Sequence, residues 1–121
     1  MNRKTIGNQG EQIAEQYLRK QGLKYLNRNV NYRFGEIDLV MLDSDTIVFV
    51  EVRVRSNPHY GSGAESVTAS KQRKLIKAAH LWIGQNRRYA NHNFRFDVIS
   101  LTTGGEISNC LWYKDAFRPD S

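Results

Sequence analysis

The hydrophobic positions of this chain change period several times, and each change marks an element. From Thr5 to Gln21 the residues Ile6, Ile13, Tyr17 and Leu18 recur at helical spacing, with Gly7 and Gly10 weakening the first turns and Gly22 placed to end the helix. Lys24 to Tyr32 suits an irregular strand. Two stronger strand-like runs follow, Gly35-Glu36-Ile37-Asp38-Leu39-Val40 and Ile47-Val48-Phe49-Val50-Glu51-Val52-Arg53, joined by the turn-like Asp43-Ser44-Asp45-Thr46. They read as an antiparallel hairpin. Ser56 to Ala64 is a loop by every breaker signal. From about Thr68 to Asn86 a second helix is expected, with Leu75, Ile76, Ala79, Trp82 and Ile83 on its inner stripe and Lys71, Arg73, Lys74 and Lys77 at or beside the opposite face. Phe94 to Leu101 alternates as a strand, Gly104-Gly105 turns, Ile107 to Tyr113 makes a last strand, and the tail from Asp115 is expected to fray. The predicted order is α-β-β-β-α-β-β, an α/β chain whose strands run meander-like around a central antiparallel hairpin.

The hairpin carries carboxylates where its pattern calls for apolar residues. If the turn centres between Ser44 and Asp45, Asp38 stands opposite Glu51 with Cβ atoms roughly 5 Å apart. Like charges so placed in a half-buried sheet repel unless a cation or a proton lies between them, so this register predicts a metal site or a shared proton. A turn one residue longer or shorter separates the two onto opposite faces. Strand parity adds Glu36 beside Asp38 and Arg53 beside Glu51, an oxygen-rich cluster of the kind that suits Mg²⁺ or Mn²⁺. The same spacing also fits a solvent-facing ion pair between Glu51 and Arg53.

Size and charge narrow the reading. At 121 residues with no composition break the chain forms one domain, residues 1–121 with a core at about 5–113, better suited to an open cleft than to an enclosed pocket. Eighteen Lys and Arg against twelve Asp and Glu, a net charge of +6 and a pI near 9.7, favour a polyanionic partner such as nucleic acid. Arg33, Arg55, Lys71, Arg73, Lys74 and Lys77, interleaved with Tyr32, Phe34 and Tyr60, would form a surface that reads a nucleic-acid backbone. No apolar run approaches the roughly 20 residues that span a bilayer, and Met1-Asn2-Arg3-Lys4 leads into a polar segment, so no membrane contact and a cytoplasmic location are expected. Cys110, the only cysteine, excludes an internal disulfide and reads as packing. His59, His80 and His92 are too widely spaced for a local zinc motif, and the glycine-rich 61–66 stretch lacks the Lys-Ser/Thr ending of a phosphate loop. His80, near the inner stripe, is expected to be partly buried.

Three segments, Gly7-Asn8-Gln9-Gly10-Glu11, Gly35-Glu36-Ile37-Asp38-Leu39-Val40 and Phe49-Val50-Glu51-Val52-Arg53-Val54-Arg55, occur in the order found in the small bacterial YraN-type family of predicted endonucleases, which this chain resembles from about Thr5 to Leu101. That family is similar to the archaeal Holliday junction resolvases of the PD-(D/E)xK superfamily. The resemblance implies a restriction-endonuclease-like three-layer α/β/α core with a mixed sheet, and a metal-dependent endonuclease of duplex or branched DNA, working as a homodimer. It implies that Asp38 and Glu51 bind Mg²⁺ (or Mn²⁺), that Glu11 is the additional acid, and that the main-chain carbonyl of Val52 completes the shell. Arg53 departs from the pattern, standing where the motif has a lysine. A guanidinium stays protonated and cannot act as a base, so Arg53 would serve the reaction by stabilising phosphate charge, with Lys71 as a substitute cation. The contrasting expectation is a nucleic-acid-binding protein that keeps the nuclease fold and does not cut.

Overall fold

The computed structural model describes residues 3–55, 67–103 and 107–119; the loop expected at 56–64, the 61–66 stretch and the turn at 104–105 lie outside them. Along the chain run α1 (Arg3–Lys20), β1 (Lys24–Tyr32), β2 (Gly35–Asp43), β3 (Thr46–Arg55), α2 (Ala69–Gln85), a 3₁₀ turn (Arg87–Tyr89), β4 (Asn93–Thr103) and β5 (Ile107–Phe117). The described residues form a mixed α/β structure of five strands and two helices. The strands lie side by side in chain order, antiparallel except that β4 runs parallel to β3. Parallel neighbours need a crossover, and α2 supplies it.

Local chemistry sets the helix ends. Gly22 adopts φ 96°, its N–H bonds the Arg19 carbonyl at 3.0 Å, and the Leu23 N–H returns to the Leu18 carbonyl at 3.0 Å. This is a Schellman stop whose left-handed residue favours glycine, and Leu23 and Leu18 are buried in the same cluster behind it. At α2 the Thr68 hydroxyl accepts the Lys71 N–H at 3.2 Å, satisfying one of the first-turn donors.

Each helix has its own core against the sheet. Val48 and Val50 of β3 join Ala14 and Leu18 of α1. The alternate residues Ile47 and Phe49 join Leu75, Ala79 and Trp82 of α2, where the Phe49 and Trp82 rings meet edge to face at 5.8 Å. Trp82 also donates its indole N–H to Asn27 of β1 at 2.9 Å, so its burial leaves no polar atom stranded.

A polar clasp closes the sheet at the start of β4. Asp97 is fully buried and accepts from Arg95 Nε at 3.0 Å, from Trp112 Nε1 at 2.9 Å and from the Asp115 N–H at 2.8 Å, while Arg95 reaches Asp43 at 2.9 Å. The final strand accordingly outruns its expected end at 113. It bulges opposite Asp97, continues to Phe117 and stacks that ring on Phe96 at 5.1 Å, so the fraying expected from Asp115 does not begin there. His80 is exposed instead of partly buried, its ring edge-on to Phe94 at 5.8 Å. Cys110 is half-buried among α1-side residues, and burial raises its thiol pKa. Among the described residues no helix is long and apolar enough to cross a membrane.

Candidate functional site

The central hairpin has the register that a turn centred between Ser44 and Asp45 requires: Asp43 pairs Thr46 and Leu39 pairs Val50, with Ser44 left-handed at φ 55°. Pairing then stops. Beyond Leu39 and Val50, β2 continues only against β1, down to Gly35 opposite Tyr32, and β3 continues only against β4, out to Arg55 opposite Thr102. The sheet forks, and Asp38 and Glu51 lie on the two sides of the crotch. They are therefore not a ladder pair. The Asp38 Oδ2 instead accepts the Val52 N–H at 2.8 Å, bridging the fork through a main-chain donor that β2 would otherwise have paired.

Alternation breaks at the same place. Leu39 and Met41 pack with α1 and Val40 with α2, so strict alternation would send Ile37 toward α1, yet Ile37 packs in the α2 cluster with Val30 opposite it. Between these pairs stands Asn29 with φ 52°, a conformation that asparagine tolerates better than most residues. Glu36, Asp38, Glu51 and Arg53 still line one groove, of about 610 Å³, as strand parity led us to expect.

Two glycines bring the helices to this point. A Cβ on Gly10 of α1 would lie 2.7 Å from Val54 Cγ2, and one on Gly35 of β2 would lie 2.7 Å from the Lys74 carbonyl oxygen of α2. The first close approach delivers Glu11 to the back of the fork. The second sets Lys71 and Lys74 along the groove wall.

Burial governs the charges. Asp38 is pushed up to about 8, first by desolvation and then by the neighbouring Glu51 charge, with the Val52 N–H pulling the other way. Glu51 is also raised by burial, against the opposing pull of Arg53, Lys71 and its neighbour Asp38. Two carboxyls this close cannot both ionise freely, so a bound cation or a retained proton would relieve the pair. Arg53 Nη1 lies 3.5 Å from Glu51 Oε1, so the ion pair expected from the spacing exists as well. Glu11 is only 8% exposed and raised by burial, against the opposing pull of Asn29 and Arg28, and its Oε2 is buried with no hydrogen-bond partner.

These donors fit a hard cation in chemistry though not as a finished cage. All are carboxylate oxygens, and a buried carboxylate oxygen without a donor is the kind of orphan that a cation satisfies. Among the described residues no three Asp, Glu, His or Cys side chains already converge as a metal cluster. Mg²⁺ commonly takes only one or two carboxylates and completes its shell with water and substrate oxygens.

The expected basic residues divide. Arg33, Lys71 and Lys74 line the groove, and Lys77 stands beside it with its ammonium 4.0 Å over the Phe34 ring. Arg73 is exposed and Arg55 half-buried, and neither lines the groove. Sequence reasoning missed the Val52 N–H and the left-handed Asn29. An asparagine-rich stretch inside a strand-like run was the available sign of the latter.

Residues 10–101 match the family model described as "Uncharacterised protein family UPF0102", a span that includes Glu11, Asp38, Glu51 and both close-packed glycines. The chain belongs to the UPF0102 family. It is 48% identical over 115 residues to a UPF0102 protein of Vibrio parahaemolyticus, covering 95% of this chain and 93% of that protein. A UPF0102 protein of Vibrio cholerae is 48% identical over 117 residues, 96% of this chain and 94% of the relative. Another from Stutzerimonas stutzeri is 48% identical over 114 residues, 94% and 95% of the two chains. The UPF0102 match thus spans both arms of the fork, the second half of α1 and all of α2.

Proposed function

We propose that the protein is a metal-dependent endonuclease that hydrolyses phosphodiester bonds of DNA, duplex or branched, with its active site at the strand fork. The reading takes the sheet and its two helices as a restriction-endonuclease-like, three-layer α/β/α core. One observation carries it: the half-buried carboxyls of Asp38 and Glu51 lie in an open groove whose walls bear Lys71, Lys74 and Arg33, with the buried, unpartnered Glu11 Oε2 as a third acid whose charge acts on both. Anionic floor and cationic walls suit a divalent ion below and a phosphate backbone above.

Asp38, Glu51 and Glu11 would hold Mg²⁺ or Mn²⁺, with the Val52 carbonyl beside them, once Asp38 is ionised. The ion supplies Lewis-acid polarisation of the phosphate and a water acidic enough to attack at neutral pH. The Val52 N–H fixes the Asp38 carboxylate so that its other oxygen faces the groove. Arg53 stays protonated and stabilises charge on the phosphate, and Lys71 supplies a second cation on the opposite wall. Contacts to the backbone alone give little base specificity. The family resemblance further implies a homodimer.

Purified protein should cleave linear, nicked or branched DNA with Mg²⁺ or Mn²⁺, and Asp38→Ala should abolish cleavage while salt-sensitive DNA binding persists. Failure of the wild-type protein to cut any of these substrates sinks the enzymatic reading. Arg53 in the lysine position, already engaged with Glu51 at 3.5 Å, favours one second reading: a non-catalytic nucleic-acid-binding protein that keeps the nuclease fold. In that case Asp38→Ala leaves the biological role intact and charge reversal at Lys74 and Lys77 removes it.

A further inference from the structure

Phe34 has no place in the core. It forms, with Arg33, the two-residue turn between β1 and β2, and it is 53% exposed at the rim of the groove whose floor holds Asp38 and Glu51. Burying a phenylalanine fully is worth about 1.5–3 kcal/mol, and most of that is forgone here. The ring is nonetheless held in place. Lys77 sets its ammonium 4.0 Å over the ring and the Arg33 guanidinium lies 5.6 Å from its centroid. The next residue, Gly35, packs on the α2 backbone at Lys74 without room for a Cβ, which fixes the turn against the helix.

We propose that Phe34 is a stacking platform for an unstacked nucleobase, and that the groove therefore selects DNA with an unpaired or splayed nucleotide next to the phosphate held over the acids. This rests on the nuclease reading of the groove and adds its substrate class. In continuous duplex both faces of each base are covered by neighbours, so an aromatic ring at the rim gains nothing from it. At a branch, a fork or a frayed end a base face is free, and the cations around Phe34 engage the phosphates on either side of that nucleotide. The combination of ring and ammonium is what distinguishes this rim from a purely electrostatic wall.

The test measures binding of the full chain in EDTA, where no cleavage occurs, to a linear duplex and to a forked DNA with 2-aminopurine at the branch. Wild-type protein should prefer the fork and change the 2-aminopurine emission. Phe34→Ala should weaken fork binding roughly 5- to 150-fold, the range for one base stacked on an aromatic ring, while duplex affinity and the salt slope stay within about twofold. Phe34→Trp should restore the preference. Equal weakening on both DNAs, no weakening on either, or no wild-type preference for the fork overturns the proposal. If the fork preference holds and depends on Phe34 but Mg²⁺ and Mn²⁺ support no cleavage, the nuclease reading fails and stacking survives. If cleavage occurs and Phe34→Ala leaves the preference unchanged, stacking alone fails.

Discussion

Asp38→Asn should stabilise the metal-free protein above neutral pH, although it alters the centre of the site. The amide is isosteric with the acid, and its oxygen can still accept the Val52 N–H that Asp38 takes at 2.8 Å. What it removes is a buried charge. Asp38 is raised from 3.8 to about 8 by burial and by Glu51, so the native state binds its proton more tightly than the unfolded chain does. The resulting stability is complete below about pH 4 and is lost as pH rises through about 8. At about 1.4 kcal/mol per unit, a shift of this size bounds the loss at roughly 6 kcal/mol, and water entering through the open groove brings the expected value to about 2–4 kcal/mol. Thermal unfolding followed by circular dichroism in EDTA, from pH 4 to 9, reads this directly. The variant should come closest to wild type near pH 4, pull ahead progressively as pH rises and exceed it by on the order of 10 °C at pH 8.5, and other titrating groups cancel in the difference. Adding Mn²⁺ at pH 8 should raise the wild-type midpoint and leave the variant's almost unmoved. A variant less stable than wild type at every pH would refute the reasoning, since the carboxylate would then be contributing stability instead of repulsion.

Gly35→Ala places a methyl 2.7 Å from the Lys74 carbonyl oxygen, so denaturant unfolding should show a loss of about 1–3 kcal/mol, together with weaker DNA binding as the groove wall shifts. Asp97→Ala leaves Arg95, the Trp112 indole and the Asp115 N–H without their shared acceptor; a loss of about 3–5 kcal/mol in urea titration is expected, and less than about 1 kcal/mol would show the clasp to be dispensable. Lys71→Ala should slow cleavage about 100-fold while changing DNA affinity only about threefold, and should raise the Glu51 pKa further, since Lys71 is one of the cations holding it down. Equal effects on rate and affinity would reduce Lys71 to a phosphate contact.

Much of the architecture was legible because it rests on local rules. Ile47 to Val54 is a β-branched run suited to a strand, Gly22 suits a helix stop, Thr68 is a good N-cap, and the short turn at 44–45 sets the hairpin register. That register brought Asp38 and Glu51 to the same place, and the groove contains both. The fork was not legible. Period-two reasoning assumes that a strand stays paired, whereas this one is broken by a left-handed Asn29 on the neighbouring strand and by the contact of Gly35 with a helix some forty residues later. The end of β5 was hidden for a related reason: Lys114 and Asp115 look like a solvated tail until the Asp97 carboxylate, distant in sequence, takes the Asp115 N–H. Lys71 and Lys77 both read as one face of a basic helix, and only the packing of α2 distinguishes the residue that lines the groove from the one that backs the Phe34 ring.

The parting of β2 from β3 also gives the sheet a built-in jaw. Behind Leu39 and Val50 the strands are zipped, and the Arg95–Asp97 clasp locks that end; ahead of it the β1–β2 tip has no ladder to β3 and is held by the Asp38 bond to the Val52 N–H, by the Tyr32 hydroxyl on Gln85 and by its packing on α2. The gape between the two strands is thus set by side-chain contacts, which give more readily than a ladder, while the packing around Phe49 anchors the hinge. Amide exchange at Glu36 and Ile37 should accordingly outpace that at Val48 and Val50 and slow when the jaw is filled.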